Sequence, residues 1–352
     1  MIKFIKKNPA IPQRWIVLTA LAYSLTAAQA QTPQAEKAFI KENMEFATKQ
    51  YSLMMQTPAQ GKNGKAIMPH SIRKDGTPSK GSIYLWTAGF FPGTLWYLSN
   101  YTGDKALQDS ALVYTHQMEP AKTFTDNHDI GFMMYCSYGN ANRFAPKDEY
   151  EDILVESARS LCTRFRPQAK VIQSWNGFRS WHGDKVYDFP VIIDNMMNLE
   201  LLFHASKVTG DESFRKVAIS HAEQVMHHQV RKDYSCFHII YYDKKTGKPI
   251  KGETSQGYSD NSAWSRGQAW GIYGFTMCYR ETKDKRFLKT AEKMADFYLD
   301  HPNLPSDKVA WWDFNAFQEG YTPGIRSNAC KMVNNYRDAS AAACVASALL
   351  EL

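Results

Sequence analysis

The sequence predicts an all-α fold, an (α/α)6 barrel built from helical hairpins. Three observations lead to this prediction. A short turn motif recurs between helices, the helices alternate between two hydrophobicity patterns, and alternating strand patterns are rare along the 352 residues. Together they favour repeated antiparallel helix pairs over a sheet-based architecture.

The recurring motif marks tight turns between helices. It is found at Thr102-Gly103-Asp104, Thr209-Gly210-Asp211 and, with Lys in place of Gly, Thr282-Lys283-Asp284. Gly favours the left-handed conformation that ends a helix, and Asp accepts hydrogen bonds from the free N–H groups that begin the next one. Each motif therefore predicts an αα-hairpin.

The helices between these turns are of two kinds. Residues 193–208 and 264–279 are apolar nearly all round, whereas 147–164 and 284–299 are charged on one face. Helices that are apolar all round are buried, and one-faced helices border solvent. This alternation predicts an inner ring of helices wrapped by an outer ring.

The periodicity indicates about ten helices, beginning with an outer one near 34–55 and ending with an inner one near 339–350. A closed (α/α)6 barrel contains six hairpins, so we expect the natural protein to continue for about two more helices. We assign 31–352 to a single catalytic domain.

The segment 237–242, followed by a turn at 243–247, predicts a β-hairpin in the long connection before Trp264.

The first 30 residues resemble a secretory signal peptide, with four basic residues, an apolar run from Trp15 to about Ala28, and a small-residue cleavage site at Ala28-Gln29-Ala30. Removing the four basic residues lowers the formal net charge from +7 to +3. This small charge gives no reason to expect nucleic-acid binding. We expect an exported, periplasmic protein with no membrane anchor after cleavage.

The six cysteines form no CxxC pair, and His227-His228 lacks the spacing of two metal ligands on one helix face. We therefore expect free thiols, no metal and no cofactor.

Asp194 is the strongest catalytic candidate. It lies at the front of the apolar run 189–203, and burial among Ile, Met and Leu raises the pKa of a carboxyl group. A carboxyl that stays protonated near neutral pH can act as a general acid. The alternative is a structural role in the first helical turn after Pro190, where the helix dipole would lower its pKa.

Other unusual residues fall at the starts of predicted inner helices, which converge on one mouth if these helices run parallel. They are Trp86, Asp129, Trp264, Arg266 and Trp270, and Trp175 and Trp181 lie in a loop nearby. Aromatic faces beside carboxylates are suited to binding sugar rings. Each also has a structural alternative: helix-end electrostatics for Asp129, an ion pair for Arg266 and core packing for the tryptophans.

Three segments, in this order, resemble glycoside hydrolase family 88, the unsaturated glucuronyl hydrolases: 128–132 (HDIGF), 192–198 (IIDNMMN) and 255–270 (SQGYSDNSAWSRGQAW). The similarity extends from about Trp86 to Leu352. It implies an (α/α)6 barrel that removes the Δ4,5-unsaturated uronic acid left on oligosaccharides by polysaccharide lyases. The expected substrates are glycosaminoglycan disaccharides.

The resemblance also implies roles for individual residues. Asp194 would protonate C4 and then activate the water that adds at C5, with Asp129 as the second carboxylate. The matched substrate-binding residues are Trp86, His128, Trp175 or Trp181, His238, Gln256, Trp264, Arg266 and Trp270. Many family members have His where this chain has Ser255, which affects the expected substrate preference.

Two other functions stay open at this stage. One is an unsaturated rhamnogalacturonyl hydrolase with the same chemistry on pectin fragments, against which the segment Arg266-Gly267-Gln268-Ala269-Trp270 argues. The other is a non-catalytic periplasmic carbohydrate-binding protein, against which the presence of both Asp129 and Asp194 argues.

Overall fold

The computed structural model describes residues 33–56 and 67–352, so the predicted signal peptide lies outside the described residues. The chain divides into two compact units, with the division at Ser52. Most of the predicted first helix, α1 (Pro33–Met55), belongs to the first unit, and its presence is confirmed.

The second unit is mainly helical. Its helices after α1 are α2 (Phe90–Thr102), α3 (Lys105–Gln117), α4 (Ile130–Met134), α5 (Asn140–Phe144), α6 (Asp148–Cys162), α7 (Leu199–Thr209), α8 (Glu212–His228), α9 (Ser265–Thr282), α10 (Lys285–Asp300) and α11 (Ala339–Glu351). A π-helical turn, Tyr135–Gly139, joins α4 to α5, and 3-10 turns occur at Glu119–Thr123, Ile193–Asn198 and Asn328–Lys331.

The helices form an α/α barrel in which inner and outer elements alternate, as the sequence predicts. The hairpins α2–α3, α7–α8 and α9–α10 each pack as pairs, and the inner elements contact their neighbours in turn, from α2 to the π-helical turn, from α4 to the turn Ile193–Asn198, and from there through α9 to α11. Inner α9 is buried almost continuously, whereas outer α10 buries one face. The fold prediction is confirmed.

The predicted hairpin turns are confirmed in their geometry. Gly103, Gly210 and Lys283 end their helices in the left-handed region, at φ 70°, 73° and 59°. The following residues, Asp104, Asp211 and Asp284, accept hydrogen bonds from the first N–H groups of the next helix. In the third motif, Lys283 adopts this left-handed conformation without the freedom of a glycine, so its backbone is strained.

Within the described part of the chain, nine short strands accompany the helices: β1 (Ile67–Ile72), β2 (Pro78–Ser82), β3 (Phe165–Arg166), β4 (Val171–Ile172), β5 (Phe178–Arg179), β6 (Val186–Tyr187), β7 (Pro190–Ile192), β8 (Ile239–Tyr242) and β9 (Pro249–Glu253). The pair β8–β9 is the predicted hairpin. β8 also pairs antiparallel with β7, with Ile192 opposite Ile239. This register places the residues just beyond β7 beside the residue just before β8.

The prediction that the helix of Asp194 begins near Ile193 is wrong in detail. Pro190 lies in β7, and Asp194 lies in the 3-10 turn Ile193–Asn198 that precedes α7. The N–H of Ile193 donates to the carbonyl of His238, so strand pairing continues to the residue before Asp194. The 3-10 turn then carries the chain from the sheet into α7.

All six cysteines have free thiols, as expected. Across residues 33–56 and 67–352, no helix has the length and apolar character needed to cross a membrane.

The start of α4 packs unusually close to the turn that carries Asp194. A Cβ atom added at Gly131 would lie 2.6 Å from both Cα and Oδ1 of Asn198. We expect Gly131→Ala to lower the free energy of unfolding by about 1–3 kcal/mol, because a core this tight accommodates a methyl group only by moving backbone.

Denaturant unfolding of the Gly131 variant measures this effect. Gly177→Ala is the matched control, because a Cβ there would meet its nearest neighbour at an ordinary 3.6 Å. Equal stability of the two variants would contradict the close packing.

Candidate functional site

Asp194 is a largely buried acid with a free oxygen. The residue is 9% exposed, and its Oδ2 is buried and has no hydrogen-bond partner among the described residues. Nε2 of His238 lies 3.6 Å from this oxygen. A buried carboxylate oxygen without a partner is rare in structural positions, and it is typical of functional sites.

The hydrogen bonds of His238 fix its tautomer. Its Nδ1 accepts the backbone N–H of Ser255 at 2.8 Å and that of Gln256 at 3.2 Å. A ring nitrogen that accepts carries no proton, so the proton of the neutral ring is on Nε2. His238 therefore presents an N–H group toward Asp194.

Asp129 is the second carboxylate of the site. It occupies the N-cap position of α4 without capping the helix through its side chain, which leaves the carboxylate available for other contacts. Burial raises its pKa, and the Asp194 charge raises it further, while His128 and Arg164 act in the opposite direction. The two carboxylates thus lie close enough to influence each other's charge.

Asn198 connects the two acids. Its Oδ1 accepts the N–H of Phe132 in α4 at 2.8 Å, and its Nδ2 donates to the carbonyl of Asp194 at 3.3 Å. One amide side chain therefore joins the helix start of Asp129 to the turn of Asp194. Sequence analysis did not select Asn198 as a functional residue, although it lies within a segment that carries the family resemblance.

The predicted contact of His128 with the substrate stays a prediction. Its side chain is fully buried, and its Nε2 lies 3.3 Å from Oδ1 of Asp129. The ring therefore packs against Asp129 and is closed off from solvent.

Two groups of aromatic rings lie next to segments of the site, one that includes Phe132 of α4 and one beside His238. Phe132 contacts both Trp86 and Trp270, with ring centroids 5.4 and 5.5 Å apart, and Trp86 is 37% exposed. On the other side, Trp264 lies 4.7 Å from the ring of His238. The indole N–H groups of Trp264 and Trp270 are buried and have no partner among the described residues, which leaves both available as donors to a ligand.

The two loop tryptophans occupy different places. The ring of Trp175 lies 6.3 Å from that of His238. Trp181 donates from Nε1 to the carbonyl of Ser255 at 3.3 Å, and its backbone N–H donates to buried Glu253. Trp175 is thus the tryptophan packed beside the His238–Asp194 pair, and Trp181 packs above the segment that orients His238.

Arg266 makes the ion pair that the sequence left open as an alternative. Its Nη1 lies 2.9 Å from Oδ2 of Asp338, and its guanidinium lies 5.1 Å from the ring of Trp264. Sequence analysis did not select Asp338, which in the structure also caps α11 by accepting the N–H of Ala341. Gln256 is exposed, and its carbonyl accepts the indole N–H of Trp312.

A second polar cluster lies in the strand connection. His182, Glu253 and Asp260 place possible ligand atoms within 4.8 Å of one another. Lys251 Nζ lies 3.4 Å from Asp260 and 3.8 Å from Glu253. The lysine ammonium group therefore supplies the positive charge that a metal ion would bring to these carboxylates.

A cavity of about 430 Å³ extends from the aromatic side of the site into the barrel, lined by Phe132, Trp270, Tyr135, Tyr273 and Glu200 among others. The two acids do not line it, so it lies beside the chemistry and does not contain it.

Comparison with known proteins gives consistent matches. The family model described as Glycosyl Hydrolase Family 88 matches residues 62–279. The chain is 44% identical over 288 residues to an unsaturated glucuronyl hydrolase of Formosa agariphila, covering 82% of this chain and 66% of the relative. It is 35% identical over 286 residues to an unsaturated chondroitin disaccharide hydrolase of Streptococcus pyogenes, covering 78% and 66%. This chain thus spans about two thirds of the length of these relatives.

A solved structure is similar throughout the barrel. The crystal structure of an unsaturated glucuronyl hydrolase specific for heparin matches with a TM-score of 0.78 and 41% identity, covering 89% of this chain and 78% of that one.

The raised pKa of Asp129 predicts a pH-dependent stability difference. A carboxyl whose pKa is higher in the folded than in the unfolded protein favours folding less as the pH rises through that interval. We therefore expect Asp129→Asn to be more stable than the wild type at pH 8, with the difference disappearing near pH 4.

Denaturant unfolding from pH 4 to 8 measures this difference, which should amount to about 1.4 kcal/mol for each unit of pKa elevation. A variant that is less stable than the wild type at pH 8 would show that Asp129 stabilises the fold.

Proposed function

Because the chain belongs to Glycosyl Hydrolase Family 88, we propose that it removes Δ4,5-unsaturated uronic acid from the non-reducing end of lyase-generated oligosaccharides. The observation that carries this proposal is the pairing of Asp194 and Asp129, with the free Oδ2 of Asp194 facing the Nε2–H of His238. Such a pair can supply a proton and then accept one.

In the proposed reaction, Asp194 protonates C4 of the unsaturated ring. Positive charge develops at C5 and the ring oxygen, and the Asp194 carboxylate then takes a proton from the water that adds at C5. The product is a hemiketal, which opens and releases the neighbouring sugar. A single acid that alternates between its two forms serves both steps.

The surroundings of the pair favour this alternation. The Asp194 charge raises the pKa of Asp129, which means that the pair resists double ionisation. The His238 Nε2–H is placed to stabilise the Asp194 carboxylate once its proton has been delivered. His238 thereby assists delivery of the proton without taking the proton itself.

The aromatic rings supply the proposed sugar contacts. Trp86, Phe132 and Trp270 form a continuous row, of which Trp86 is the exposed end. Apolar faces of a pyranose stack on such rings, and the free indole N–H groups of Trp264 and Trp270 can donate to its oxygens. Arg266 donates to Asp338 from Nη1, and its other N–H groups can donate to the uronate carboxylate.

We infer that the substrates are glycosaminoglycan disaccharides. The relatives named for chondroitin disaccharides and for heparin support this class. We further propose export to the periplasm, supported by the basic, apolar and small-residue segments within residues 1–30.

We expect Asp194→Asn to lower kcat by a factor of about 10² to 10⁴, because the amide cannot donate the acid proton. Loss of the ultraviolet absorbance of the double bond measures turnover, and equilibrium binding of the disaccharide should persist. Asp188→Asn, an exposed acid just before β7, is the matched control. Undiminished turnover by the Asp194 variant would refute the assignment.

A second measurement tests the substrate class. Turnover of unsaturated chondroitin disaccharide should exceed that of unsaturated rhamnogalacturonan disaccharide when kcat/KM is compared on one enzyme preparation. Preference for the pectin fragment would assign the chain to the rhamnogalacturonyl reaction, and binding without turnover of either would indicate a carbohydrate-binding protein.

A further inference from the structure

A buried arginine lies behind the carboxylate pair. Arg164 is 4% exposed, and its guanidinium donates to three backbone carbonyls, those of Thr125, Gln173 and Ser174. It also donates to Oδ1 of Asn176 at 3.2 Å. These acceptors belong to two separate loops, the one that precedes Asp129 and the one that contains Trp175.

Ser174 extends these contacts to both acids. Its carbonyl accepts the N–H of His128, the residue before Asp129, at 3.2 Å. Its hydroxyl oxygen accepts the N–H of Ile192, two residues before Asp194, at 2.9 Å. One fully buried serine thus bonds to the backbone leading into each carboxylate.

The arginine also acts on the pair through its charge. Burial lowers the pKa of Arg164 to about 10, so the guanidinium is still positively charged at neutral pH. The Arg164 charge lowers the pKa of Asp129, whereas burial raises that pKa by a larger amount. The other charged and titratable groups that act on Asp129 or on Arg164 are His128, Asp194, Asp126 and Arg166.

We propose that Arg164 and Ser174 are positioning residues that hold the two carboxylates in a fixed relative position, with the Arg164 guanidinium as the buried cation among the backbone groups that carry them. The placement matters because an arginine in direct contact would form a fixed ion pair with the acid. Arg164 instead donates to backbone carbonyl groups, so it fixes the positions of the two loops. Its charge then shifts the pKa of Asp129 without forming an ion pair with it. The link to turnover rests on the proposed function, whereas the effect on Asp129 does not.

Replacing the charge tests the electrostatic part. The titration of Asp129 is followed by carbon-13 NMR of its carboxyl group, assigned with Asp129→Asn. We expect Arg164→Gln to move the titration midpoint of Asp129 to higher pH, because removal of a nearby cation disfavours the carboxylate. Arg164→Lys keeps the charge and should leave the midpoint near that of the wild type.

Arg166→Gln is the matched control. Arg166 is a half-buried arginine two residues further on, which donates to the Gln173 side chain and to the carbonyl of Thr163, and Asp129 should titrate normally without it. If Asp129 must be ionised for turnover, the acidic limb of kcat/KM in Arg164→Gln moves upward by the same interval. A folded Arg164→Gln protein with an unchanged Asp129 midpoint overturns the proposal.

The titration separates this proposal from the proposed function. A wild type that does not consume unsaturated disaccharides refutes the function, yet the Asp129 midpoints of the variants still decide the role of Arg164.

Ser174→Ala tests the geometric part, and it carries the whole test if Arg164→Gln does not fold. We expect faster hydrogen exchange in 190–198, because the N–H of Ile192 loses its hydroxyl acceptor, whereas the bond from the N–H of His128 to the Ser174 carbonyl is retained. Ser157→Ala is the control, since among the described residues that buried hydroxyl bonds to Ile153 within its own helix. Unchanged exchange in 190–198 overturns the proposed positioning role of Ser174.

Discussion

Two carboxylates in a mostly buried setting impose the main constraint on this barrel. The ion-pair neighbours that the structure gives them are both histidines, His128 for Asp129 and His238 for Asp194. An arginine or lysine in direct contact would keep its partner acid ionised and remove the proton that the proposed reaction needs. The surrounding structure instead directs Arg164 onto backbone carbonyls and relies on fixed geometry around the pair.

The backbone supplies that geometry through a few contacts between distant segments. The pairing of β7 with β8 brings His238 to the turn of Asp194. Close approach at Gly131 and the amide of Asn198 then set the start of α4 against the same turn. Each contact joins segments that are far apart in sequence, so the site exists only when the barrel has assembled.

This dependence explains what the sequence predicts well and what it does not. The hairpin turns are local: Gly103 and Asp104 act on backbone groups within a few residues, so their pattern is sufficient to identify them. Asp194 is recognisable because an acid within an apolar run is unusual, and both Asp194 and Asp129 lie in segments that carry the family resemblance. The 3-10 turn around Asp194 is not recognisable from the sequence. It follows the hydrogen bond between Ile193 and His238, and no local pattern encodes that contact. The burial of His128 and the partnership of Arg266 with Asp338 depend in the same way on tertiary contacts.

The backbone and the side chain of Ser255 act on different parts of the site. Its contribution to the tautomer of His238 is a backbone N–H, which any residue except proline can donate. The presence of Ser where many family members have His therefore leaves the orientation of the Nε2–H toward Asp194 intact. What changes is the half-exposed side chain, which loses a ring able to carry positive charge. Under the proposed function, variation at this position would alter which sugar is preferred beside the uronate and would leave the placement of His238 beside Asp194 unchanged.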